Sequence, residues 1–145
     1  MPIVSFHLTE GRSQPEQQAR LLTEASQLYA QVLQSPLERV RAYIHSFPET
    51  RVAVAGVLAR DDAPDAPYFE FFVLDGRPFD QCSRLMGGFT DLLVRILGAR
   101  RDLIRGCCRR IDPQDWSIGG VPASVLRAAE IDARARAAAA APTAR

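Results

Sequence analysis

The 145-residue chain contains no lysine, and all 18 of its cationic side chains are arginines. That absence excludes lysine Schiff bases, pyridoxal phosphate attachment and Walker-type phosphate loops, so any amine chemistry falls to the N-terminus. Cysteine is scarce as well. Cys82, Cys107 and Cys108 form no CxxC or His-spaced metal pattern, and an odd count argues against a disulfide framework, so they read as core or strand residues. His7 and His45, the two histidines, lie in strand-like runs without metal partners and read as structural or interfacial. No run of about 18 apolar residues occurs, and no charged-then-apolar leader with a cleavage site, which points to a cytoplasmic protein without membrane contact. Charge of one sign is also missing. A net charge of +1 without a basic run offers nucleic acid no electrostatic footprint.

What is present is enough for a core. With 47% hydrophobic and 24% charged residues, the chain can fold as one domain or as two fused small units. A first strand, Ile3 to Leu8, runs into a Glu10-Gly11 turn. Ser13 and Glu16 then have capping-box spacing, with Pro15 in the first helical turn. Leu21, Leu22, Ala25, Leu28, Tyr29, Val32 and Leu33 recur at helical spacing until Gln34-Ser35-Pro36 stops the helix. Tyr29 on that face reads as core. A second strand follows from about Arg39 to Phe47, then a turn at Pro48-Glu49-Thr50 and a short strand or hairpin from Val52 to Val57.

The pattern then repeats. A shift of 65 carries Pro2, Glu10, Gly11 and Arg12 onto Pro67, Asp75, Gly76 and Arg77. A shift of 64 carries the helix face onto Leu85, Met86, Phe89, Leu92, Leu93, Ile96 and Leu97, and Val40-Arg41 onto Ile104-Arg105. This periodicity marks a duplication. It gives a first β-α-β unit at 2–58, a charged, proline-bearing linker at 59–66, a second unit at 67–120 and an Ala/Arg-rich tail at 121–145. The tail reads as a marginal helix to about Arg136, then disorder. The fold class is α+β, with two right-handed crossovers merging into a four-stranded sheet and both helices on one face. The other face is expected to be apolar and uncovered, an association surface for copies arranged around a symmetry axis.

Pro2 is the candidate catalytic residue. A small second residue permits removal of Met1, which would leave a ring-fixed secondary amine at the start of an apolar strand. A free α-amino group titrates at about 7.7–8.0, and an apolar pocket with arginines nearby disfavours its charged form. Such an amine can act as a general base near neutral pH, or as a nucleophile toward a carbonyl. Arginine supplies a complementary function, binding a carboxylate bidentately and stabilising a developing dienolate oxygen.

Pro-Ile at the start, Leu-Thr-Glu-Gly-Arg-Ser at 8–13, Ser-Pro-Leu-Glu-Arg-Val-Arg at 35–41 and the hairpin closing on Gly56 together resemble 4-oxalocrotonate tautomerase and its superfamily. The doubled pattern, over residues 2 to about 120, resembles the fused members, in which two short units share a chain and assemble as a homotrimer. The resemblance implies a cofactor-free enol–keto isomerase of a small unsaturated 2-oxo or 2-hydroxy carboxylate. Pro2 would be its base and acid, Arg77 and Arg105 would bind substrate, and Trp116 would form an apolar wall. No metal is implied. Arg12 and Arg41 would flank Pro67, whose nitrogen is an amide behind Ala66. Related decarboxylases and dehalogenases carry a further arginine where this chain has Asp75 or Leu74, so neither pair is reproduced. A decarboxylase, hydratase or dehalogenase of a three-carbon acid is the alternative, as is a non-catalytic trimeric binding protein.

Overall fold

The computed structural model describes residues 2–142. Strand β1 (Ile3–Thr9) leads to helix α1 (Pro15–Leu33), strand β2 (Arg41–Phe47) and a hairpin of β3 (Ala53–Val54) and β4 (Val57–Leu58). The second unit repeats this order: β5 (Tyr68–Leu74), α2 (Phe79–Leu97), β6 (Arg105–Ile111), and the hairpin β7 (Ser117–Ile118) and β8 (Val121–Pro122). The element ranges reproduce the two shifts, 65 for β1 to β5 and 64 from the helix onward. The sheet order is β2-β1-β5-β6, parallel within each unit and antiparallel where β1 meets β5. The two units are therefore related by a pseudo-twofold through the β1/β5 seam.

Local chemistry sets the boundaries. Helix α1 begins one residue later than its Ser13/Glu16 spacing indicates: Pro15 takes the first helical position, so Gln14 becomes the N-cap. The Gln14 backbone N–H donates to Gln17 Oε1 at 2.8 Å. Strand β2 starts at Arg41 and not Arg39, because Leu37–Arg39 form a 3₁₀ turn, repeated at Arg101–Leu103. The β3–β4 turn runs through Ala55 and Gly56, both at positive φ.

One side of the sheet holds the core. Val4, Phe6 and Leu8 from β1 and Phe69, Phe71 and Val73 from β5 alternate toward the helices and are buried. Phe89 of α2 stands edge-on to Phe6 (5.9 Å, 88°), and its centroid lies 5.3 Å from Phe71 and 5.5 Å from Tyr29. Each buried ring contributes about 1.5–3 kcal/mol relative to exposure. Cys82 is buried in this core. Burial and the hydrogen bond with Cys82 push the Cys108 thiol up to about 12, which leaves it protonated.

The other sheet face is uncovered by the described residues, but it is not apolar. His7 and His45 stack at 5.0 Å, with Tyr68 and Phe47 against His7, and Glu70 pairs with Arg109 at 2.8 Å. Tyr43 is 49% exposed. The face is a mixed aromatic and charged surface, because alternation puts Ser5, His7, Glu70 and Arg109 on it along with Ile3 and Phe72.

The segments outside the two units are also ordered. In the linker, Ala59 and Ala63 are buried, and Arg12 Nη2 donates to their carbonyl oxygens at 2.9 and 3.2 Å. The tail first completes the β7–β8 hairpin, then forms α3 (Ala123–Leu126) and α4 (Ala128–Ala140). Residues 137–140, expected to be disordered, are helical; 143–145 lie outside the described residues. No helix among the described residues is long and apolar enough to cross a membrane.

Candidate active site

The antiparallel seam decides which residues meet. Ile3 lies opposite Phe72, so Pro2 falls beside Val73 and Leu74, where β5 ends. Gly76, at φ +89°, turns the chain there and delivers Arg77 to the same end of the sheet. Strand β6 runs parallel to β5, so the residues after Ile111 also emerge there, Trp116 among them. Pro2 is buried, and its carbonyl accepts the Arg41 backbone N–H at 2.9 Å.

Pro2 and Arg77 line one small inner cavity of about 30 Å³, room for a water or two. Phe72, Val73, Leu74 and Leu33 give it apolar walls. Leu33, Ser35, Arg39, Arg77, Glu130 and Arg134 also line a neighbouring cleft of about 450 Å³. Arg77 Nη1 donates to the Leu33 carbonyl at 2.8 Å, which fixes the guanidinium in the wall. Burial first, then the like charge of Arg134, draws the Arg77 pKa down, and Glu130 opposes the shift. A guanidinium stays charged through such shifts. Trp116 reaches the cavity at one remove: its ring lies 5.9 Å from that of Phe72, and its buried Nε1 has no partner among the described residues.

Arg105 is placed elsewhere. It opens β6 beside Pro67, where its backbone N–H donates to the Pro67 carbonyl at 3.2 Å, at the far end of the sheet from Pro2. Its Nη1 donates to the carbonyls of Asp102 and Ile104. Within one chain the residue that stands next to Pro2 is Arg41, not Arg105, because β2 begins beside β1's first residue. The expected assignment of Arg41 to Pro67 therefore does not hold inside a single chain. Arg12 does lie at the Pro67 end, but it is engaged by the linker and by Glu49 at 3.5 Å.

Four residues of the cavity went unnoticed in the sequence. Arg39 enters from the 3₁₀ turn before β2, and Arg127, Glu130 and Arg134 come from the tail. Arg39 Nη1 contacts both Glu130 carboxylate oxygens at 3.1 Å, and Arg127 lies 3.9 Å from Glu130. The spacing 127, 130, 134 is one helical stripe, and that is the signal a search for apolar periodicity passes over. Among the described residues, four guanidinium groups against one carboxylate leave a surplus of three positive charges lining the cavity beside Pro2. Such a site attracts an anion and repels a proton from a nearby amine.

The sequence profile described as tautomerase enzyme matches residues 2–62. The 2-hydroxymuconate tautomerase of Pseudomonas putida is 38% identical over 56 residues, which cover 39% of this chain and 87% of that protein. A probable tautomerase of Ralstonia nicotianae is 28% identical over 69 residues, covering 48% of this chain and 99% of its own length. Among solved structures, native fused 4-OT superposes with a TM-score of 0.80 at 24% identity, covering 86% of this chain and 98% of that one. A fused 4-OT described as a symmetric trimer superposes at 0.77 with 22% identity, over 86% of this chain and 98% of its own. The first unit carries the sequence likeness and the whole two-unit architecture carries the structural one; the chain belongs to the tautomerase family, as a fused member with two β-α-β units.

Proposed function

We propose that the protein is an isomerase that moves a proton between enol and keto forms of a small unsaturated 2-oxo or 2-hydroxy carboxylate. Pro2, freed by removal of Met1, is its general base and acid. The observation that carries this reading is the burial of Pro2 in a cavity shared with Arg77, under a surplus of positive charge. In the reaction the Pro2 nitrogen takes the proton of the 2-hydroxyl group, the oxygen lone pair becomes a carbonyl, and the conjugated double bond shifts. The protonated amine then returns the proton to carbon. Nothing is oxidised, and no step draws on a cofactor. Arg77 binds the carboxylate, while Phe72 and Trp116 keep the amine in apolar surroundings that favour its neutral form.

A homotrimer completes this reading. The solved fused relatives include trimers, and the open sheet face with its exposed Tyr43 and Phe47 offers an interface. Assembly would let Arg105 of one copy approach Pro2 of another. The test compares the native N-terminus with a chain carrying an N-terminal tag, which turns the amine into an amide. A chromogenic enol–keto assay over about pH 5 to 9 should show activity rising as Pro2 loses its proton, through an apparent pKa below the free-amine value. The tagged chain should be inactive at equal folding and equal oligomeric state. Equal activity of the two would remove Pro2 from the chemistry.

A further inference from the structure

We propose that Arg134, delivered by helix α4, binds the substrate carboxylate together with Arg77, so that the C-terminal helix is part of the site. Where the reaction occurs rests on the reading of Pro2 above; the anion site stands on its own geometry. Arg134 lines both the inner cavity beside Pro2 and the wider cleft outside it. It is partly buried, and among the described residues it makes no hydrogen bond or ion pair. Arg77 is near enough to feel its like charge. Among the described residues the one carboxylate lining the cavity, Glu130, is already held by Arg39 and approached by Arg127. Two guanidinium groups lining the same cavity thus lack a matched anion among the described residues, and a carboxylate entering between them would relieve the repulsion while accepting charge-assisted hydrogen bonds from both.

The alternative, that Arg134 is a solvated surface charge, fits its surroundings poorly. Its side chain also borders a recess of about 310 Å³ walled by Gly76, Pro78, Ala137 and Ala138. Helix α4 has no fully buried residue, so its apolar contact with the body is limited to half-buried Ile131 and the alanines bordering that recess. Among the described residues the ion pair that ties it to the body is Arg39 to Glu130, and this pair sets Arg134, one turn further along, over the cleft. Glu130 therefore acts as the positioning residue and Arg134 as the ligand-binding one.

The experiment uses the full chain with its native N-terminus, Arg134→Gln, and Arg136→Gln as a control for loss of the same charge from an exposed site on the same helix. Adipate, a saturated dicarboxylate that cannot tautomerise, is titrated calorimetrically. Arg134→Gln should weaken adipate binding about tenfold, the scale of one charge-assisted contact, whereas Arg136→Gln should stay within about twofold of the parent. In the enol–keto assay, Arg134→Gln should raise KM by about the same factor with kcat within about threefold, the mark of binding shared by ground and transition states. Adipate affinity indifferent to Arg134, or absent from the parent, overturns the proposal. A parent without isomerase activity whose adipate binding still depends on Arg134 would sink the Pro2 reading and leave this one standing.

Discussion

Tyr29→Phe removes a single oxygen atom from the centre of the molecule, and the structure gives its consequences. The Tyr29 side chain is fully buried, and its hydroxyl donates to the Phe72 carbonyl, with the Ile3 carbonyl at 3.4 Å. Ile3 and Phe72 face each other across the seam next to Pro2, so this hydroxyl links α1 to the backbone that positions the cavity. The ring packing against Phe71 and Phe89 survives the substitution. Loss of the hydrogen bond and partial desolvation of a carbonyl should together cost about 1–2 kcal/mol. For a chain of this size that lowers Tm by about 2–8 °C, measured at fixed protein concentration because assembly would shift it. Burial pushes the phenol well above its ordinary range, so it stays protonated throughout the assay and contributes no limb of its own to the pH profile. The value of kcat/KM should fall no more than about threefold. A hundredfold loss at unchanged Tm would refute the reasoning and make Tyr29 part of the chemistry.

Gly106→Ala should destabilise the fold by about 1–3 kcal/mol in urea unfolding, because its Cβ would sit 2.2 Å from Phe69 Cζ in a ring stack with no room to shift; adding Phe69→Leu should recover much of the loss. His7 sets an acid limit. Burial, and after it the charge of His45, holds its pKa below the ordinary value while Glu70 opposes, so the folded state binds the proton less readily than the unfolded one. Stability is then full above the unfolded pKa of about 6.5 and declines as pH falls below it; His7→Gln should flatten the fall in urea midpoint toward acid, and an equal slope in both proteins would exclude His7.

The duplication was legible because both of its carriers are local: turn residues Glu10-Gly11-Arg12 and Asp75-Gly76-Arg77, and helix faces at matching spacing. Pro2 and Arg77 line one cavity because antiparallel pairing sets the start of β1 beside the end of β5. Arg105 is a different matter. A repeat shows which arginines are equivalent, but which end of the sheet each occupies depends on how the units pair, and antiparallel pairing sends Arg105 to Pro67. The open face was misread for a related reason: its apolar members cluster near Ile3, Phe72 and Leu74, while charge lies along its middle. Helix α4 was undervalued because its alanines offer no apolar face. A long-range ion pair between Arg39 and Glu130, 91 residues apart, ties it to the body, and no local pattern announces such a partner.

Arg12 and Arg77 began as the same residue of one ancestral unit, and they now have unlike work. Around Pro67 the incoming chain that blocks the amine is also the chain that Arg12 grips through the carbonyls of Ala59 and Ala63. The guanidinium whose counterpart Arg77 lines the cavity beside Pro2 is here a fastener for the join itself. Fusion in this molecule is thus a one-way step: cutting the chain before Pro67 would return an amine to the second site, but would release the very segment on which Arg12 has come to depend.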